Sequence, residues 1–431
     1  MKLYSLKNIS KKVKFLEAVK LGLCEKQGLF FPKKLPYFKK KEIKKILKMN
    51  FFEKSYKILN SFIGKEIPKK ILKKIIKKSF GITFPKIKKI EKNISCLELF
   101  HGPTLAFKDF GARFMSQIIY FLKKKNKNKV TILTATSGDT GAAVANAFYK
   151  MKNINVVILY PKGKISKIQE KMFCTLGKNI KTISVNGSFD ECQKLVKKAF
   201  NDKKLKKNIG LNSGNSINIS RLLAQICYYF EAFSLLEKKN RKNLIISVPC
   251  GNFGNITAGL IAKSIGLPIK NFIASTNSND TVPRFLKYNK WKPKKTISTI
   301  SNAMDISVPN NWDRIIELFN QNKWNIKDPK YLKFGKVSEK QTKKSIKKLY
   351  KLKYISEPHA AVAYNVLKKE IKNGEYGLFL GTAHPLKFKS TIEKIIPVKI
   401  KLSKNVKKQK NIKSFSFSID PKFSLLKKFL I

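Results

Sequence analysis

The sequence predicts an α/β fold built as two open, twisted lobes behind a mostly helical N-terminal region. Three observations predict it. From residue 129 onward, short apolar runs of strand length alternate with stretches compatible with helix. Glycine-bearing turns join these runs, and such alternation implies parallel sheets covered by helices on both faces. The chain has 431 residues, 43% of them apolar, so it can bury one large core or two to three lobes.

Each element follows from its residues. Residues 1–95 alternate short amphipathic stretches with lysine runs, punctuated by Gly64, Pro68 and Pro85, and predict a mostly helical region. The α/β region is expected at 96–395, with a smaller lobe at roughly 115–210. Val130–Ala135 reads as a strand, followed by the turn Ser137-Gly138-Asp139-Thr140-Gly141 and a helix from residue 142. Residues 155–160 and Ile180–Val185 predict strands, each followed by a helix, at 166–176 and 189–200. Residues 244–248 predict a strand leading through Gly251-Asn252-Phe253-Gly254-Asn255 into a helix at 257–265, and 271–275 predict another strand. Residues 396–431 form a basic tail with few structural signals.

Lysine and arginine number 92 against 26 Asp and Glu, a formal charge of +66. Such a charge normally points to nucleic acid or an acidic membrane. Only Arg113, Arg221, Arg241, Arg284 and Arg314 are arginines, however, leaving 87 lysines. Proteins that grip phosphate backbones or read bases favour the planar arginine fork. The lysine runs at 38–47, 123–129 and 404–413 carry no interleaved aromatic stacking pairs, so they read as solvated surface. No nucleic-acid or membrane partner is expected. The six cysteines show no C-x-x-C pair and only three histidines accompany them, so neither a metal site nor a disulfide framework is expected. Reduced thiols predict a cytoplasmic protein. Apolar runs fall far short of the ~20 residues of a membrane span, and the N-terminal residues lack the apolar core of a secretory signal.

In open α/β sheets, ligands bind where loops leave the C-terminal ends of strands. Two loops occupy that position here. Thr136–Gly141 brings small residues to a helix N-terminus, where exposed backbone N–H groups suit a carboxylate or phosphate. Gly251–Asn255 is a second N–H cradle between strand and helix. It is neither a P-loop nor a dinucleotide turn. A third segment, His101 to Gly111, sets Lys108 between Phe107 and Phe110 in a turn-rich, apolar setting. A partly desolvated lysine loses its proton readily and then acts as an amine nucleophile.

The segments GLFFP at 28–32, LELFHGPTLAFKDFG at 97–111, TATSGDTGAAVA at 134–145 and NSINISRLLAQICYYFEA at 215–232 stand in order along the chain. GNFGN at 251–255, SNAMDISVPNNW at 301–312, SEPHAAVAY at 356–364 and LFLGTAHP at 378–385 follow. Together they resemble the fold type II pyridoxal-phosphate enzymes and, among these, the threonine synthase family. The resemblance covers nearly the whole chain, with only the last thirty residues lacking a strong counterpart.

That resemblance implies two open twisted α/β lobes and pyridoxal 5'-phosphate as cofactor. It implies that Lys108 bonds the cofactor aldehyde and later moves protons between Cα, Cβ and Cγ of the substrate. Gly251, Asn252, Phe253, Gly254 and Asn255 would hold the cofactor phosphate, and Thr382 would hydrogen-bond the pyridine nitrogen. Ser137, Gly138, Asp139, Thr140 and Gly141 would cradle the substrate carboxylate. Asn215, Ser216 and Arg221 would hold the substrate phosphate, a role the arginine fork suits. The implied reaction converts O-phospho-L-homoserine and water to L-threonine and phosphate, the last step of threonine biosynthesis. Two other readings stand beside it: a sister eliminase of the serine/threonine dehydratase or phospholyase kind, and a basic nucleic-acid-binding protein on a decayed enzyme scaffold. His101 and His384 are expected to orient loops.

Overall fold

The structure, a computed structural model, describes residues 1–24, 28–124 and 129–431. Most of the lysine run at 123–129 lies outside the described residues. The N-terminal region holds the helices α1 (Phe15–Leu21), α2 (Lys40–Lys48), α3 (Phe51–Ile63) and α4 (Lys69–Phe80). It also holds an element the sequence analysis does not anticipate, an antiparallel sheet of β1 (Leu3–Ser5), β2 (Asn8–Val13) and β3 (Phe30–Pro32). These strands are three to six residues long and β2 is mostly exposed, so they carry too little apolar alternation to declare themselves.

Two sheets follow. The larger contains β4 (Lys86–Glu91), β5 (Ile94–Glu98), β10 (Leu244–Pro249), β11 (Asn271–Thr276), β12 (Leu332–Lys336) and β13 (Tyr376–Gly381), ordered β12-β11-β10-β13-β5-β4. Only the β4–β5 pair is antiparallel. The smaller contains β6 (Val130–Ala135), β7 (Ile154–Pro161), β8 (Ile180–Val185), β9 (Leu211–Ser213) and β14 (Phe417–Ile419), ordered β14-β8-β7-β6-β9 and parallel throughout. The expected strands at 155–160, 244–248 and 271–275 fall inside β7, β10 and β11. Runs such as VVIL in β7 and IISV in β10 are buried on both faces, as parallel strands between helices must be.

The intervening helices are α5 (Lys108–Lys124), α6 (Asp139–Phe148), α7 (Lys167–Cys174), α8 (Phe189–Asn201), α9 (Lys203–Asn208), α10 (Ile219–Leu235), α11 (Lys238–Arg241), α12 (Gly254–Ser264), α13 (Thr281–Tyr288), α14 (Trp312–Asn322), α15 (Glu339–Lys351) and α16 (Pro358–Glu370). Side-chain caps fix several starts: Ser166 accepts from Gln169 N before α7, and Ser188 from Glu191 N before α8. α10 is buried along nearly its whole length between α3, α5 and α12, and the N-terminal helices pack their Phe51 and Phe80 rings against Phe110 of α5. After β13 come a 3-10 turn (Pro385–Phe388), α17 (Lys389–Glu393), α18 (Lys404–Lys410), β14 and α19 (Phe423–Leu430). The basic tail therefore adds a strand to the edge of the small sheet. Among the described residues no helix is long and apolar enough to cross a membrane, and no metal-ligating cluster is formed. All six cysteines are free and buried.

Strand order fixes where the site lies. In the small sheet β6 pairs with β7 on one side and β9 on the other, and in the large sheet β10 pairs with β11 and β13. Order reverses at both strands, and the crevices so opened face one another across a single cavity.

Candidate active site

Lys108 is the first residue of α5 and lines the cavity. Its approach is fixed by Thr104, whose backbone N donates to Asp109 Oδ2 at 2.9 Å, and by Leu105, held at φ 57°, a conformation a branched side chain adopts only under tertiary constraint. Burial pushes the Lys108 amine down to about 8; Asp139 opposes this, and Arg221 and Lys387 add to it. Near pH 7.4 roughly one fifth of the amine is therefore neutral, against about one part in a thousand for an ordinary lysine.

Four further walls complete the cavity. Ser137, Asp139 and Thr140 line it from the loop after β6, whereas Gly138 and Gly141 do not. The backbone N–H groups of these two glycines donate instead to Thr136 Oγ1 at 2.9 and 2.8 Å, so they shape the turn and are already engaged. Gly138 sits at φ 124°, and a Cβ there would meet the Gln169 side chain at 2.6 Å. Asn215, Ser216 and Arg221 line the cavity from the segment after β9. Ser216 Oγ accepts from Asn252 Nδ2 at 3.0 Å and Asn311 Nδ2 at 3.2 Å, which leaves its own proton free to donate.

Arg221 is buried, donates Nη1–H to Gly214 O at 2.6 Å, and its Nε has no partner among the described residues. Burial lowers its guanidinium to about 10, Asp109 opposing, a value that still leaves it charged at neutral pH. An unmatched buried donor on a cationic side chain is an anion site in waiting. All five residues Gly251 to Asn255 line the cavity. Gly251 is required because a Cβ would lie 2.7 Å from Met304 Cα, and Phe253 is held at φ 59° at the start of α12. Asn255 Oδ1 accepts from Tyr228 and Tyr229 at 2.6 and 2.7 Å, while its buried Nδ2 has no partner among the described residues. Thr382, directly after β13, donates Oγ1–H to Glu357 Oε1 at 3.3 Å.

Three residues around Asp139 and the cavity were not singled out by the sequence analysis: Lys387, Gln169 and His359. Asp139 Oδ1 lies 2.7 Å from Lys387 Nζ and accepts from Gln169 Nε2 at 2.9 Å. Burial would raise the Asp139 carboxyl, but Lys387, Lys108 and His359 together hold it well below the usual range. His359 lines the cavity, with its Nδ1 against Glu357 and its Nε2 accepting from Ala303 N at 3.3 Å. Its motif, SEPHAAVAY, was visible, whereas Lys387 had no signal beyond its neighbours. His101 pairs with Glu98 at 2.9 Å, His384 Nδ1 accepts from Leu386 N at 3.1 Å, and neither lines the cavity.

The arrangement fits pyridoxal 5'-phosphate. It offers one easily neutralised amine, a glycine-bearing cradle with an unmatched amide donor at Asn255, and a hydroxyl at Thr382. Arg221, with its unmatched Nε, is a further buried donor on the cavity wall.

The chain matches the family model described as pyridoxal-phosphate dependent enzyme over residues 83–399, and that of the threonine synthase N terminus over residues 2–80. It is 65% identical to the threonine synthase of Buchnera aphidicola subsp. Schizaphis graminum, covering 100% of both chains. The crystal structure of threonine synthase from Escherichia coli superposes with a TM-score of 0.96 at 54% identity, covering 100% of this chain and 99% of that one. The pyridoxal-phosphate-bound threonine synthase from Brucella melitensis gives 0.91 at 28% identity, covering 100% and 98%. Matched from end to end and carrying the loops described above, the chain belongs to the threonine synthase family of pyridoxal-phosphate-dependent enzymes.

Proposed function

We propose that the protein converts O-phospho-L-homoserine and water to L-threonine and phosphate, with the residues of the cavity in the roles that follow. The observation that carries this reading is the pairing of a depressed lysine with two unmatched buried donors, Arg221 Nε and Asn255 Nδ2, around one cavity. One anion site suits the cofactor phosphate. The other suits a substrate that brings its own phosphate, which a dehydratase substrate lacks.

When bound, the cofactor supplies an electron sink conjugated with the substrate Cα. Lys108 Nζ would bond its aldehyde, and Asn255 with the backbone N–H groups of 251–255 would hold its phosphate. Thr382 Oγ1 would hydrogen-bond its ring nitrogen. The N-terminus of α6 with Ser137 and Thr140 holds the substrate carboxylate. Arg221, Ser216 and Asn215 hold the substrate phosphate and stabilise the charge that grows as the Cγ–O bond breaks. Once released by the incoming substrate, the neutral Lys108 amine would take the Cα proton and pass it into the conjugated system that the cofactor supplies; neutral again, it would take a Cβ proton as phosphate leaves Cγ, and return that proton to Cγ. Water then adds its oxygen to Cβ, and a proton returns to Cα.

Every cavity-lining residue falls between Phe107 and Thr382, which supports 96–395 as the catalytic region, with 1–95 and 396–431 bracing it. The six unpaired thiols support a cytoplasmic location. The test is the stoichiometry of purified protein with O-phospho-L-homoserine, combined with borohydride trapping and peptide mapping. One threonine per phosphate and a pyridoxyl group on Lys108 are expected. Deamination of threonine without phosphate release, or a label on another lysine, overturns the reading.

A further inference from the structure

Lys387 is one of the most deeply buried charged groups in the protein, with no exposure of its side chain. An ammonium so placed persists only with close partners, and it has two: Asp139 Oδ1 at 2.7 Å and Thr104 O at 3.0 Å. These partners come from different places. Thr104 lies in the turn that delivers Lys108, Asp139 opens α6 in the smaller lobe, and Lys387 itself follows β13 by way of Thr382. A single ammonium thus ties together three segments that converge on the cavity. Gln169 Nε2 donates to Oδ1 of Asp139, and Lys387 Nζ pairs with the same oxygen. Asp139 and Lys108 line the same cavity.

We propose that Lys387 is a positioning residue for the chemistry at Lys108: it clamps Asp139 by Oδ1 as a permanent carboxylate, so that a fixed negative charge stands beside the Lys108 amine. The proposal rests on Lys108 being the reacting amine. That charge helps Lys108 hold a proton it has just taken from the substrate and is about to return.

The charges facing this pair give Lys387 two effects of opposite sign. Lys108 is faced by Asp139 from α6, Arg221 from α10 and Lys387 from the turn after β13, and Asp139 by Lys387, Lys108 and His359 of α16. Directly, the Lys387 charge repels the Lys108 ammonium and lowers its pKa. Through Asp139, which it keeps ionised, Lys387 raises that pKa. The proposal requires the second route to dominate.

Trace labelling of the full-length, cofactor-free protein with acetic anhydride across pH 6–11, with peptide mapping, reads the Lys108 midpoint without any cofactor. Both K387M and D139N are expected to lower that midpoint, D139N by about one pH unit and K387M by less: D139N deletes the carboxylate, whereas K387M leaves a buried carboxyl without its partner and also lifts the direct repulsion. In the D139N background, where only the direct repulsion is left, K387M is expected to raise the midpoint slightly or leave it unchanged, and a further fall there overturns the proposal. A midpoint that rises or stays put in K387M overturns the proposal, as does an unchanged midpoint in D139N. Should K387M fail to accumulate folded, K387Q keeps a donor for Thr104 O without the charge and is held to the same outcome. Borohydride trapping tests the cofactor lysine separately, so a failure here is distinguishable from a failure of that assignment.

Discussion

At Lys108, burial and charge fix a pH dependence. The amine must be neutral to attack the cofactor aldehyde, and burial brings its pKa to about 8 from 10.5. The rate at which cofactor-free protein takes up pyridoxal phosphate, followed by absorbance, should therefore rise about tenfold per pH unit below pH 8 and level off above it. An ordinary surface lysine would keep rising to about pH 10.4. At Arg221, Nη1 is tied to Gly214 O while Nε has no partner among the described residues, so the fork has one arm on the scaffold and one unmatched donor. R221K cannot fill both positions. We expect it to raise KM for phosphohomoserine by roughly 10- to 100-fold, in line with the 1.5–3 kcal/mol of a charge-assisted hydrogen bond, and to leave cofactor absorbance intact. Steady-state kinetics decide it, and an unchanged KM removes Arg221 from the phosphate site. Both residues were legible because their motifs are distinctive, and Arg221 also because arginine is rare here. Lys387 was not: among 87 lysines, nothing local separates a buried ammonium from a solvated one, and its partners lie about 250 and 280 residues away in sequence.

The strands and turns were more legible than the side chains that serve them. Val130–Ala135 and Ile180–Val185 coincide with β6 and β8, because a parallel strand buried on both faces must be a short unbroken apolar run. The helix expected at 257–265 begins three residues earlier, at Gly254. Its first turn is the cradle itself, and glycine and asparagine there read as loop. The short N-terminal sheet left no periodic trace. Nor does sequence show what stiffens the turn after β6. That part is played by Thr136, whose hydroxyl accepts from both Gly138 N and Gly141 N. T136V keeps the shape and removes the acceptor, leaving two buried amides unmatched. An unmatched buried group costs ~1–3 kcal/mol, so T136V should destabilise the protein by about 2–6 kcal/mol and raise KM for phosphohomoserine. Urea unfolding with kinetics on the folded enzyme checks both. A T136V protein as stable as the wild type means that water serves these amides equally well.

Across the whole molecule, the last residues of the chain complete the sheet that carries one wall of the site. β14 joins the free edge of β8, pairing Phe417 with Ile183 and Ile419 with Val185. Tyr160 donates to Ser416 Oγ at 2.9 Å, Ser184 to Phe417 O at 3.1 Å, and Lys427 pairs with Asp202 at 3.0 Å. Ile419, Leu426 and Leu430 are buried in the core beneath α8. Each such side chain is worth about 1.5–3 kcal/mol when buried, a gain reduced by the entropy of ordering the segment. The consequence is local, because the small sheet shares no strand with the large one. Removing residues 414–431 should therefore cost hydrogen-exchange protection in β8 and α8 while β10 and β13 keep theirs. Since the loop after β6 is carried by that same small sheet, the truncated enzyme should bind cofactor on the large-sheet cradle yet hold substrate poorly. It should show near-normal cofactor absorbance and a KM for phosphohomoserine raised several-fold. Protection lost evenly across both sheets would show instead that the two lobes unfold as one unit, and that the C-terminal strand stabilises the molecule rather than one wall of its cleft.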